Sequence, residues 1–552
     1  MDPEANDSTT HPKSRGNWVT FPFITGTMIG LTLAGVGYLS NIIVYLIEEF
    51  NFQSISAAQL SNVVSGGNNV FPLVGAILAD SFFGNFSVVT ITSCVSFLGL
   101  VLLVLTALLQ PLRPPPCLPA SSLCKSPSYF QYTVLYGSLI LTSIGFGGSR
   151  YTLATMGANQ FNKSEDQTTF FNWFFFTLYS SSVIGATAIV FIQEDVSWAV
   201  GFGVCVAANF IGLVVFLVGK RFYKRDDKPE GSPFTGLARV VSATVKKRHV
   251  ELSSRCEDYY CEKDEKGHDI AGSLTKSFRC LNRAAIKTEG DVKPDGSIAK
   301  PWRICSVQQV EDFKTLIRVF PIWSSNILVA IPIAVQLSLT VLQALAMDRH
   351  FGKHFQIPAG SISVLVLITN SITVPLIDRI FNPCWRLLTR KYPTPFQIVG
   401  VGHVMNVVSM VVSALVESRR LKLTDGQMPV TWLFPQLILV GIGEAFHFPG
   451  QVSLYYKEFP VSLRSTGTAI ISFIIGVSFY LSTGLIAVVE KVTNWLPDNI
   501  NEGRVDNVYC VMAGLGVINF VYYLICAHLY TYQNVEKPIT KETALVSDMT
   551  SE

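Results

Sequence analysis

Long uncharged apolar stretches alternate along the chain with short charged ones. A membrane-spanning helix needs about 20 consecutive, mostly apolar residues. Read between charges, the sequence offers twelve such stretches, with cores at 19–47, 56–79, 87–110, 131–158, 170–192, 197–219, 319–346, 359–377, 396–416, 430–455, 464–489 and 507–530. Several contain Gly and Pro, which spanning helices tolerate better than soluble ones. Six precede a polar stretch near 220–313 and six follow it. The pattern predicts an all-α membrane protein of twelve transmembrane helices in two six-helix bundles, joined by a long cytoplasmic central loop. Its boundaries are a tail over 1–18, a bundle over 19–225, a loop over 226–305, a second bundle over 306–530 and a tail over 531–552. The first stretch lacks the short apolar core and small-residue cleavage site of a removed signal peptide, so it is read as the first span.

Composition sharpens this. Apolar residues make up 49% of the chain and charged residues only 15%, against about 25% in a soluble protein. That excludes a secreted disulfide scaffold, a disordered chain and a cytosolic enzyme. A formal net charge of +3 gives no reason to expect a nucleic-acid partner; the lipid bilayer is the implied surroundings. Lys220, Arg221, Lys224 and Arg225 abut the sixth span, and basic residues near span ends mark the inside. Both tails and the central loop are therefore expected on the cytoplasmic side. The acidic pairs at 48–49 and 194–195 then face out, as does the Pro-rich loop carrying Cys117 and Cys124, two cysteines able to pair on an oxidising side. Sequons at Asn6, Asn85 and Asn162 fall inside and should stay unglycosylated. Cys94, Cys205, Cys510 and Cys526 lie in apolar segments and read as small buried hydrophobes. Cys256, Cys261, Cys280 and Cys305 do not match a zinc ligand spacing, so neither a metal nor any other cofactor is expected.

An internal repeat emerges next. Asp80 ends the second span in GAILADSFFGNF (75–86), and Asp378, followed by Arg379, ends the eighth in VPLIDRIFNPCW (374–385). A carboxylate there can cap the following helix, whose N-terminus is positive, or latch a tight loop while that face is closed. One such position per half favours two related bundles that rock around a substrate held near the midplane.

The GAILAD loop, FFNWFFF (170–176), FIQEDVSWAVGFGV (191–204), WRICSVQQVEDFKTLIRVFPIW (302–323) and WLFPQLILVGIGEAFHFPGQVSLYYKEFP (432–460) together resemble the plant nitrate and peptide transporters. These are relatives of the proton-coupled oligopeptide transporters within the major facilitator superfamily, and the nitrate excretion subgroup is the most similar. The resemblance implies a major facilitator fold and transport, not enzymatic activity. Departures from the family pattern matter as much. Where the family has Glu-x-x-Glu-Arg in helix one, this chain has Met28-Ile29-Gly30-Leu31-Thr32. The helix-four lysine and proline are replaced by Arg150-Tyr151, a usual acid is Asn159, and a loop arginine is Asn85. Glu444 in helix ten keeps the family's glutamate.

The candidate site residues follow from charge in apolar surroundings. Arg150 is the only charge between Lys125 and Lys163, and Glu444 the only one between Asp425 and Lys457. A charge inside a span is costly and should face a wet cavity or a partner. Arg150 offers a guanidinium fork for an anion; its alternative is a structural ion pair. Glu444 could pair with Arg150 or take a proton. His447, one turn on, could share the proton, though it and His403 are as well explained as helix–helix polar contacts. Tyr38, Tyr45, Tyr151, Asn326 and Gln336 could line the cavity or pack between helices. Gly145, Gly147 and Gly148 read as close helix packing, not a phosphate loop. The leading expectation is a small-anion transporter in the plasma membrane, for nitrate, working by passive efflux without obligatory proton coupling. The alternatives are a proton-coupled symporter of nitrate, peptides or a larger anionic metabolite, and a nutrient receptor on a transporter fold.

Overall fold

The protein is described here by a computed structural model over residues 16–116, 125–161, 163–224, 233–253, 255–261, 275, 277–293, 298–352, 355–423, 428–458 and 464–530. Cys117, Cys124, Asn6 and Asn162 lie outside these residues. The chain divides into two units, Met1–Glu230 with Phe355–Val364, and Gly231–His354 with Leu365–Glu552.

The first unit holds α1 (Phe21–Ser40), α2 (Ile42–Phe50), α3 (Ser54–Leu78), α4 (Asn85–Leu108), α5 (Tyr129–Ala158), α6 (Ser164–Ile184) and α7 (Trp198–Gly219). The second holds α8 (Pro233–Lys246), α9 (Arg279–Asn282), α10 (Val307–Leu345), α11 (Val364–Leu376), α12 (Asn382–Thr389), α13 (Pro395–Arg420), α14 (Phe434–Glu458), α15 (Arg464–Val492) and α16 (Val505–Leu529). This is the all-α major facilitator fold, with six spanning helices in each half. Among the described residues ten helices are long and apolar enough to cross a membrane by length and composition alone. The other two expected spans, α3 and α5, are helical throughout but diluted by Gly, Ser, Thr and Asn.

Those small and polar residues are what lets helices approach. In a bilayer, association depends on close packing and hydrogen bonds, since lipid is as apolar as leucine. A Cβ on Gly145 would lie 2.3 Å from the Ser96 backbone nitrogen, and one on Gly148 2.5 Å from Thr92 Cγ2, joining α5 to α4. A Cβ on Gly75 would lie 2.8 Å from the Gly148 carbonyl, joining α3 to α5. The second unit repeats the device. Gly443 of α14 closes on Asn406 of α13, and Gly441 on Thr369 of α11. Contacts between helices follow the same repeat. Spans one and six, three and four, three and six, and one and five pack together; so do seven and twelve, nine and ten, nine and twelve, and seven and eleven. The two related halves expected from the Asp80 and Asp378 loops are thus two copies of one packing scheme.

Several boundaries differ from expectation. The first span breaks at Asn41, whose side chain is fully buried with neither amide atom partnered among the described residues. Gly360 packs on that break, with no room for a Cβ. Span seven starts at Val307, twelve residues before its apolar core, because a capping box of Ser306 and Gln309 nucleates it in the polar segment. The same device starts α5 (Ser128, Gln131) and α13 (Thr394, Gln397). The central region, read as a polar loop, has a core of its own. Val240, Ala243, Ala284, Ile286 and Cys305 are buried against Val310 at the start of α10. Beside that core, Lys247 Nζ meets Asp291 Oδ2 at 2.8 Å, both side chains almost fully buried. Burial alone would raise the Asp291 carboxyl. The hydrogen bonds from Lys247 and Thr288 and the positive charges of Lys247 and Arg303 outweigh it and hold the group below the usual range. Burial pushes the Cys305 thiol up to about 11, with Arg239 and Lys247 pulling the other way. Cys205 and Cys526 are buried as expected, but Cys94 and Cys510 are exposed on helix faces.

Candidate functional site

In the first unit α5 carries Arg150, whose side chain is exposed. Its guanidinium carbon lies 5.7 Å from the centre of the Tyr151 ring. Among the described residues no ion pair involves Arg150. A ring face orients the guanidinium but supplies no negative charge, so the cation keeps its capacity for an anion. Positions 28 and 31, where the family's acids would stand, are buried core. Met28 and Leu31 pack with Ile24, Leu153, Met156, Phe170 and Phe216. Tyr38 is fully buried, stacked on Phe146 and accepting a hydrogen bond from Asn68 Nδ2 at 3.2 Å. Tyr45 is likewise buried, its hydroxyl 2.8 Å from Thr106 Oγ1. Packing accounts for both tyrosines.

In the second unit Asn326 of α10 is buried, and neither of its amide atoms has a partner among the described residues; Gln336, the other expected cavity position of that helix, does. Gln336 is instead consumed by packing: its Nε2 donates to Ser409 Oγ at 2.9 Å and Ser413 Oγ at 2.7 Å. Glu444 receives a hydrogen bond from Asn370 of α11. His447 turns the other way. Its ring lies 5.2 Å from that of His403 on α13, and its Nε2 is 2.6 Å from Gln451 Nε2. Glu444 and His447, one turn apart, therefore face different helices and do not form one proton site.

Asp80 and Asp378 each occupy the second position of a five-residue π turn, Ala79–Phe83 and Ile377–Phe381, that prolongs the second helix of its half. Such a turn inserts a residue into the helix and re-aims the side chains beyond it. The capping role expected of Asp378 is not found. Its exposed carboxylate accepts from Asn382 Nδ2 at 3.3 Å, and the chain continues directly into α12. The cap of the next span comes from Thr394 instead. Arg379 is exposed beside it.

Two buried clusters escaped the sequence. Glu417 and Arg420, at the end of α13, form an almost fully buried pair at 2.8 Å. Gln343 donates to Glu417 at 2.6 Å and receives from Tyr509 at 3.0 Å, tying α10, α13 and α16 together. At the other end of α10, Lys314 is fully buried and paired with Glu311 at 2.6 Å. The spacing of three residues was visible in both; the burial was not.

Two six-helix halves with matched packing, paired Asp-bearing turns and a lone cation and a lone carboxylate in equivalent spans of the repeat define a polytopic membrane transporter. Sequence and fold comparisons give the family. The POT family (PTR2) matches residues 86–502, and the chain belongs to it. It is 52% identical over 551 residues to Protein NRT1/PTR FAMILY 2.7 of Arabidopsis thaliana, covering 98% of this chain and 97% of that one. Its fold is similar to an auto-inhibited POT family peptide transporter, with TM-score 0.70 at 17% identity over 94% of this chain and 99% of the other. It is also similar to the POT family transporter PepTSo, with TM-score 0.68 at 15% identity over the same shares. The protein is a multi-pass membrane transporter of the NRT1/PTR (POT) family, and not an enzyme.

Proposed function

We propose that the protein carries a small anion, nitrate, out of the cell across the plasma membrane by alternating access, passively and without obligatory proton coupling. The observation that carries this reading is Arg150: a guanidinium within a spanning helix, steadied by the Tyr151 ring and with no carboxylate neutralising it among the described residues. A planar fork with several donors suits a flat oxyanion. Asn326, whose amide atoms have no partner among the described residues, is a second candidate contact, and Asp80, Asp378 and Arg379 serve the change of state. The lack of coupling rests on Met28 and Leu31, whose side chains bind no proton and are packed as core. Nitrate-loaded proteoliposomes test the reading. Clamping the interior negative with potassium and valinomycin should drive nitrate out through the wild type and not through Arg150→Ala. Equal rates from empty and protein-containing vesicles would overturn it.

A second reading, proton-coupled symport, rests on Glu444. Among the described residues its partner is the neutral Asn370, not a cation. A carboxylate so placed within a span can exchange a proton.

A further inference from the structure

The cytoplasmic start of α10 carries three charges on one stripe, Glu311, Lys314 and Arg318. Against it lies the short segment around Thr275 and Ser277, just ahead of α9. Thr275 is fully engaged. Its amide and hydroxyl donate to the two Glu311 oxygens at 2.9 and 2.8 Å, and its hydroxyl accepts from Arg318 Nη2 at 2.8 Å and Lys314 Nζ at 3.3 Å. Ser277 is exposed, and its hydroxyl accepts from the same Arg318 Nη2. The other terminal nitrogen of that guanidinium, Nη1, is buried and has no partner among the described residues. With Glu311 answered by Lys314, the Arg318 charge is left over.

We propose that Ser277 is a phosphorylation site whose phosphate is received by Arg318. The reaction is phosphoryl transfer by a protein kinase from a nucleoside triphosphate. Ser277 Oγ bonds to the terminal phosphorus, the bond to the bridging oxygen breaks, the hydroxyl proton passes to the kinase's base, and a nucleoside diphosphate leaves. The phosphate carries about −1.5 to −2 charge and three strong acceptor oxygens. One oxygen can take the orphaned Nη1 while another keeps Nη2, the bidentate pairing that guanidinium favours. Thr275 is the wrong acceptor: a phosphate there would stand against the Glu311 carboxylate. Docking the segment on α10 explains the bonds already made, but not a buried donor left open beside an exposed hydroxyl. Phe278, next in the chain, adopts a left-handed φ of 48° despite its bulk. Phosphate on Ser277 would fasten the central region to the first helix of the second half. The inference does not depend on the substrate; it requires only that this region faces the nucleotide-bearing cytoplasm.

The test has two arms. In the first, phosphoserine is installed at 277 of the full-length protein by genetic-code expansion, and its phosphorus-31 shift is titrated in detergent. Pairing should lower the second phosphate pKa by about one unit from its usual value near 6. Arg318→Gln should restore it; if that variant does not fold, Arg318→Lys, which keeps charge but loses the fork, should restore it in part. An unshifted titration in the otherwise wild-type protein overturns the proposal. In the second arm, mass spectrometry of chymotryptic peptides from plant membranes prepared with phosphatase inhibitors should find phosphate on Ser277. Phosphate on Thr275 instead, or on neither, overturns it.

Discussion

At the scale of single residues, the energetics turn on whether a charge has its counter-charge. Arg150 has a ring and no carboxylate among the described residues, so under the proposed function a bound anion would supply its counter-charge. Arg150→Ala should nearly abolish nitrate flux, while Arg150→Lys, charged but without the fork, should keep a small fraction. The loss corresponds to about 2–5 kcal/mol if substrate is left facing no cation, and flux assays on folded variants measure it. Asp291 shows the opposite case. Its carboxylate and Lys247 bury each other. Asp291→Asn would leave an ammonium buried without its partner, at about 3–5 kcal/mol. The dependence on pH has a definite sign. The folded carboxyl sits below its unfolded value near 3.9, so its stabilisation is complete above that and fades as pH falls through the folded value. Limited proteolysis of the central region between pH 5 and 2.5 should show protection lost at the acid end, and the Asn variant should be susceptible throughout. Arg150 was legible from sequence because it stands alone in an apolar run. Asp291 was one acid among many in a charged loop, and only the fold reveals that it is buried.

At the scale of helices, small residues set how closely neighbours pack. Two glycines of α5 separate the roles glycine can play. A Cβ at Gly145 would strike the Ser96 backbone, which cannot rotate away, whereas one at Gly137 meets nothing within 4 Å. Gly145→Ala should push α4 and α5 apart and cost about 1–3 kcal/mol. Gly137→Ala should raise helix propensity and stabilise by up to about 1 kcal/mol. Thermal melts of the two variants should move in opposite directions. The π turns at Asp80 and Asp378 are a second helix-scale device, placed where each half's second helix ends. If they serve the change of state, Asp378→Asn should slow turnover in flux assays without shifting the melt, because the exposed carboxylate stabilises little. Twelve spans and their order could be read from the length of the uncharged runs, although apolar composition alone supports ten of them among the described residues. Where a span begins or breaks could not, since Ser306–Gln309 capping starts α10 inside polar sequence and the orphaned Asn41 interrupts the first span within an apolar one.

At the scale of the whole molecule, direction of transport is a matter of charge and voltage. Moving one charge across 100 mV is worth about 2.3 kcal/mol, and a tenfold concentration ratio about 1.4 kcal/mol. A carrier that only equilibrates nitrate across a membrane negative inside therefore sends it out until the outside holds a roughly forty- to fiftyfold excess. Inward accumulation that draws on the potential requires more than one proton per nitrate, so that net positive charge enters. The helix-one positions that would share such coupling are here Met28, Leu31 and Thr32, the first two packed in the core. One candidate carboxylate, Glu444, remains, bonded to Asn370, and His447 has turned away from it toward His403. A single such group can carry at most one proton per cycle, and one proton per nitrate is electroneutral: it removes the voltage penalty but draws no energy from the potential. The expected outcome is that a pH gradient imposed at zero voltage drives no concentrative nitrate uptake into proteoliposomes. A potassium–valinomycin potential should drive nitrate out at a rate that Glu444→Gln leaves within about twofold. Concentrative uptake on a pH gradient at zero voltage, abolished by Glu444→Gln, would establish symport through that one carboxylate and overturn the passive reading.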